Sequence, residues 1–215
     1  MLLPPRAKLL CIGDSITDCD RARPVGEGLF QASGKGWVAM VDSLLMAGDP
    51  ARQVRVVNVG TGGNTVRDLE KRWASDVLDQ KPDWLAVMIG ANDVWRQFDC
   101  PHQPEWGVPL AEYEATLTRL VARTRATVQG LVLMTPFYIE SNPDDAMRAT
   151  MDCYGAVVKR LAQAHAAVCV DTQAAFSRVL AHYHANAFSW DRVHPNQAGH
   201  MVIAKAFLAA VGFAG

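Results

Sequence analysis

Short apolar runs alternate along the chain with longer stretches of helical periodicity. The runs Lys8–Ile12, Val54–Asn58, Trp84–Ile89, Leu131–Thr135 and Val168–Asp171 predict strands, and four of the five are nearly continuous in apolar residues. Unbroken runs of that kind suit parallel strands covered on both faces. Leu110, Tyr113, Leu117, Leu120, Val121 and Thr124 step mainly by three and four, which predicts a helix with one apolar stripe. Met147, Met151, Tyr154, Val158 and Leu161 repeat the pattern in the next interval, and we read this methionine-containing stripe as core filling rather than a cofactor site. A last helix, about Gln197 to Val211, begins just past Pro195, near the position where proline is tolerated.

Strand and helix in alternation imply a parallel sheet with right-handed crossovers and helices on both faces. The expected fold is an α/β class, flavodoxin-like, three-layer α/β/α sandwich with about five parallel strands, formed as a single domain over residues 1–215. Ligands of open α/β sheets bind beyond the carboxyl ends of the strands. Three glycine-containing polar segments follow strands directly: Gly13-Asp14-Ser15, Gly60-Thr61-Gly62-Gly63-Asn64-Thr65 and Gly90-Ala91-Asn92-Asp93. All three are expected on one rim.

Composition narrows the partners. With 21 basic and 22 acidic residues the formal net charge is −1, which gives no global field for nucleic acid or anionic membrane. No run approaches the roughly 20 apolar residues that span a bilayer. The start, MLLPPRAKLLCIG, lacks a secretory signal's long apolar region and small-residue cleavage site. Five scattered cysteines, without a Cys-x-x-Cys pair, favour free thiols in a reducing compartment, so the cytoplasm is the expected location.

A serine hydroxyl needs a base before it can act as a nucleophile. Six histidines are available. His165 and His200 fall on predicted helices, His102 in a Pro- and Trp-rich loop, and His182 and His184 flank Tyr183 without enough neighbours for a metal site. His194 follows Asp191 by three residues in Ser189-Trp190-Asp191-Arg192-Val193-His194-Pro195-Asn196, a spacing that lets the acid turn back onto the ring. Acyl hydrolysis would also need donors for an oxyanion, for which the Ser15 N–H, the Gly63 N–H and the Asn92 side chain are candidates. Each residue also has a plain structural reading. Ser15 could cap a helix, Gly63 make a turn, Asn92 cap a loop, and Asp191 or Asn196 cap the last helix.

Together the four segments resemble the SGNH, or GDSL-type, hydrolase family. Gly13-Asp14-Ser15-Ile16-Thr17 is similar to its first block, with Ile where many members carry Leu, and Asn58 to Gly63, Gly90 to Asp93 and Asp191 to His194 are similar to the next three, in order. The resemblance implies Ser15 as nucleophile, His194 as base and acid, Asp191 as its orienting partner, and the Ser15 N–H, Gly63 N–H and Asn92 side chain as oxyanion hole. It implies no cofactor and no metal.

Nearly end to end the chain resembles a subgroup of intracellular esterases that deacetylate xylo-oligosaccharides, in "RVVNVGTGGNTVRDL", "QKPDW", "IGANDVWRQFD", "MTPFYIE", "DTQAAF" and "WDRVHP". That resemblance implies a small acetylated oligosaccharide as substrate. The absence of a long apolar lid points the same way, toward small acyl groups. Asp14, Trp95, Arg96 and Trp190 are candidate substrate contacts, and the loop from Trp95 to Trp106 either stacks on a sugar face or packs against the domain or a second subunit. Six tryptophans leave a homo-oligomer open. Two other readings stand beside this one: a thioesterase or lysophospholipase-like hydrolase, and a carbohydrate- or phosphate-binding module using the glycine-rich rim. The missing Gly-Lys-Ser/Thr argues against a nucleotide phosphate loop.

Overall fold

The computed structural model describes residues 1–213; residues 214 and 215, the end of the expected domain, lie outside the described residues. In chain order the elements are β1 (Lys8–Gly13), α1 (Ser15–Asp18), α2 (Trp37–Gly48), β2 (Arg55–Asn58), α3 (Val66–Trp73), β3 (Trp84–Met88), α4 (Ala91–Asp99), α5 (Leu110–Arg125), β4 (Gly130–Met134), α6 (Ala146–Ala164), β5 (Val168–Val170), α7 (Thr172–Leu180) and α8 (Gln197–Ala210). The sheet order is β2-β1-β3-β4-β5, parallel throughout. Leu10 of β1 pairs with Val57 on one side and Leu85 on the other, so the most apolar strands are also the most central.

Helices cover both sides. On one face α8 packs against α2 and α7, where the Trp37 and Phe207 rings sit 5.7 Å apart; on the other α5 packs between α3 and α6. β1, β3 and β4 are buried almost end to end, which is why their sequences carry no polar alternation. β5 is an edge strand with Cys169 exposed.

Four residues expected inside strands, Val54, Ile89, Thr135 and Asp171, fall just outside them. Asp171 leaves the ladder because its carboxylate caps α7, accepting from the Ala174 N–H at 3.0 Å. The helix over Gln197 to Ala210 ends one residue before the expected Val211, and Asn196 caps it through the Gly199 N–H.

The strand order reverses direction between β1 and β3, the place at the carboxyl ends where open α/β sheets bind ligands. Ser15, the Gly60–Asn64 loop and Asn92 follow β1, β2 and β3 onto that rim. The Asp191–His194 loop arrives from the other end of the chain and is fastened where the Ile139 N–H donates to the Arg192 carbonyl at 2.9 Å.

Candidate active site

Ser15 opens α1 directly after β1. Its hydroxyl lies 2.9 Å from His194 Nε2, and His194 Nδ1 lies 2.6 Å from Asp191 Oδ2. The other Asp191 oxygen, Oδ1, accepts from the Ser189 hydroxyl at 3.0 Å, the Val193 N–H at 2.9 Å and the His194 N–H at 2.7 Å. The loop turns on Arg192, held at φ 63°, which folds the carboxylate back under the ring. Burial alone would raise the Asp191 pKa. The bonds from the His194 ring, the two N–H groups and Ser189 outweigh it and carry the value down to about 2. Asp191 is therefore ionised wherever the protein works, and holds Nδ1 protonated with Nε2 facing the serine.

The second segment is clamped against the first. A Cβ at Gly60 would fall 2.3 Å from the Asp18 nitrogen, so only glycine lets the two backbones approach. The Asn58 side chain accepts from the Gly60 N–H at 2.9 Å and donates to the Thr17 and Ser33 carbonyls, and Asp18 Oδ2 accepts from the Gly62 N–H at 3.0 Å. Arg72 binds the Val59 and Gly13 carbonyls. Gly63 follows at φ +77°, with open space where a Cβ would stand. Its N–H donates to no protein group among the described residues and is available to a ligand.

Asn92 lies in the first turn of α4, where it is buried. One hydrogen of its amide is taken by the Asn64 carbonyl at 3.0 Å, which orients the group and leaves the second hydrogen for another acceptor. Its neighbour Asp93 accepts from the Val66 N–H at 2.9 Å and ties α4 to the start of α3. The Gly63 loop and the start of α4 that bears Asn92 are thus bonded to each other.

The four expected substrate contacts fare differently. Asp14 is 1% exposed and caps α1 through the Ile16 N–H at 3.0 Å. Burial pushes its pKa up to about 6. Trp95 packs edge-on against the His194 ring, 5.5 Å between centroids, with the Arg96 guanidinium 4.5 Å over its face. Those contacts set the ring against the imidazole. Arg96 lines a cleft beside Gly63. Trp190 is 95% exposed and stands outside that cleft.

Sequence reasoning missed Asn58, Asp18, Arg72 and Asp93 as supports of the rim. Asn58 and Asp93 stood inside the quoted segments, but Arg72 and Asp18 carried no local sign of their distant partners. Arg21 is buried and donates to the Gly60 carbonyl at 2.7 Å. Among the described residues no group of three or more His, Cys, Asp or Glu converges as metal ligands would. None of their helices is long and apolar enough to cross a membrane.

A parallel α/β sheet presenting Ser, His and Asp in line beside unengaged N–H donors defines a hydrolase that uses a serine nucleophile. The chain belongs to the GDSL-like lipase/acylhydrolase family, whose profile matches residues 11–202. It is 59% identical over 206 residues to an acetylxylan esterase of Geobacillus stearothermophilus, covering 96% of this chain and 94% of that one. The crystal structure of Axe2, an acetylxylan esterase from the same organism, superposes with a TM-score of 0.98 at 57% identity, over 100% of this chain and 98% of that one. Axe2 has also been solved as catalytic mutants in which a serine, a histidine or an aspartate is replaced by alanine.

Proposed function

We propose that the protein is a serine esterase that removes acetyl groups from acetylated xylo-oligosaccharides, acting as one domain and in the cytoplasm. The observation that carries the reading is the unbroken line from Ser15 Oγ to His194 Nε2 at 2.9 Å and from His194 Nδ1 to Asp191 at 2.6 Å. Likeness to the Geobacillus acetylxylan esterase supports the acetylated-sugar substrate. The five unpaired thiols support the compartment, and recovery of the native chain with paired cysteines would count against it.

In this reading Ser15 Oγ attacks the acetyl carbonyl carbon while its proton passes to His194 Nε2. Charge collects on the carbonyl oxygen, where the Ser15 and Gly63 N–H groups and the free Asn92 hydrogen receive it. Each such donor contributes on the order of 3 kcal/mol to the transition state. Collapse breaks the bond to the sugar oxygen, which takes the proton back from His194 and leaves acetyl-Ser15. Water then gives a proton to His194 as it attacks the acetyl carbon. The Oγ–acetyl bond breaks as His194 returns that proton to Ser15 Oγ, releasing acetic acid, which ionises to acetate. Asp191 stays ionised throughout and stabilises the imidazolium.

Acetate release from acetylated xylo-oligosaccharides, with wild type and Ser15→Ala side by side, tests this. Wild type should turn over while Ser15→Ala falls by on the order of 10⁴-fold in kcat. Equal release by both proteins sinks the serine mechanism, and none by wild type sinks the substrate.

A further inference from the structure

Beside the Gly63 loop lies a cleft of about 360 Å³, within the range of roughly 300–1,000 Å³ that small-molecule sites occupy. Gly63, Thr65 and Arg96 line it together with Arg67, Asp68, Lys71, Glu105 and Trp106. Trp106 is 48% exposed, a large ring left half in water.

The loop that carries this ring is nonetheless fixed. Arg67 donates to the Glu105 carbonyl at 2.7 Å and to the Gly107 carbonyl at 3.2 Å, gripping the backbone on either side of Trp106. Its remaining nitrogens fork onto Glu112 at 2.5 and 2.7 Å. Arg67 sits in α3, the helix that follows the Gly63 loop, so the ring and the oxyanion donor share one scaffold. A side chain on Gly107 would meet Gln97 Cγ at 2.6 Å, and Gln97 in turn donates to the Asp93 carbonyl at 2.8 Å. An exposed aromatic ring on a backbone held this firmly is partly pre-organised for a ligand, because little backbone ordering remains to be done on binding.

The lining selects the ligand's class. An acyl chain would need apolar walls, and here charged side chains and Thr65 surround a single aromatic ring. A phosphate or carboxylate would need unpaired cations. Arg67 is paired with Glu112, Lys71 with Asp68 at 3.0 Å, and Arg96 with Asp99. What remains is a ring of hydrogen-bonding groups, with the Glu105 carboxylate outside any ion pair among the described residues, around one flat apolar face. A pyranose has that complement, with C–H groups on its face and hydroxyls on its edge.

We infer that this cleft is a subsite for a xylopyranose unit of the substrate, with Trp106 as its platform and Arg96, Lys71 and Asp68 in reach of its hydroxyls. The inference rests on the sugar-acetate reading and adds to it where the sugar lies. It assigns to Trp106 the stacking role that Trp95, turned toward His194, does not fill.

The test compares wild type, Trp106→Ala and Trp106→Phe on an acetylated xylo-oligosaccharide and on phenyl acetate, which has no sugar. A stacked aromatic contact of about 1.4 kcal/mol corresponds to tenfold. Trp106→Ala should lower the preference for the sugar ester over phenyl acetate about tenfold, through KM rather than kcat, and Trp106→Phe should restore most of it. A preference within twofold of wild type, or equal losses on both esters, would overturn the subsite. If wild type cleaves phenyl acetate but no sugar ester, the substrate reading fails, and calorimetric titration with unacetylated xylotetraose decides the subsite separately. Binding by wild type that weakens about tenfold in Trp106→Ala sustains it; equal binding, or none by wild type, overturns it.

Discussion

Asp191 uses both carboxylate oxygens within one loop. Oδ2 holds the imidazole, while Oδ1 gathers the Val193 and His194 N–H groups and the Ser189 hydroxyl. This division explains why the shift to about 2 is in the acidic direction despite partial burial, and it sets what a neutral replacement would do. In Asp191→Asn the amide oxygen can still accept from the backbone, which turns the NH₂ group toward Nδ1. The ring must then present Nδ1 as acceptor and carry its proton on Nε2, where it cannot take one from Ser15. We expect kcat to fall by roughly 10⁴-fold with KM little changed and thermal stability close to wild type. Steady-state kinetics with a melting curve checks this, and a variant retaining more than a tenth of wild-type kcat would contradict the role.

At the scale of elements, the rim depends on α8 and α2 being correctly docked, and His200 joins them. Its Nδ1 accepts from the Trp37 N–H at 3.2 Å, at the start of α2, and its Nε2 faces Cys19 Sγ at 3.5 Å. Burial first, and the nearby His194 charge second, lower the His200 pKa from 6.5 to about 4. Between those values the unfolded chain binds a proton that the folded chain refuses, so stability is lost as pH falls from about 6.5 through about 4. Asp14 and Asp93, pushed up by burial to about 6 and about 7, slope the opposite way, which makes a comparison between variants necessary. His200→Asn keeps an acceptor for the Trp37 N–H and removes the titration. Its unfolding free energy relative to wild type should therefore improve by about 3 kcal/mol between pH 7 and pH 4, measured by urea denaturation. A constant difference across that range would mean that His200 carries no such proton linkage.

Across the whole molecule, what the sequence disclosed follows from how local each signal is. The five strands were legible because central parallel strands are apolar runs with polar, glycine-bearing ends, and the same ends carry Ser15, Gly63 and Asn92. Asp191 and His194 were legible as a pair because three residues suffice to close their contact. The sugar side was not. Trp95 and Trp106 look alike in sequence, and what separates them is the Arg67–Glu112 clamp, formed by residues 45 positions apart. Asp14, a candidate substrate contact in the sequence, turns its carboxylate inward to cap α1. A helix cap and a substrate contact use the same side-chain chemistry, and only burial tells them apart.

These scales meet in one covalent event, the transfer of an acetyl group to Ser15. The most direct measurement is rapid acid quenching of the enzyme during turnover of 4-nitrophenyl acetate, whose good leaving group lets acylation outrun deacylation, followed by peptide mass spectrometry. The account predicts one acetyl group on the peptide that contains Ser15, absent from Ser15→Ala and released in wild type once substrate is exhausted. Turnover with the acetyl group on another residue, or with none on Ser15 while Ser15→Ala remains active, would contradict it.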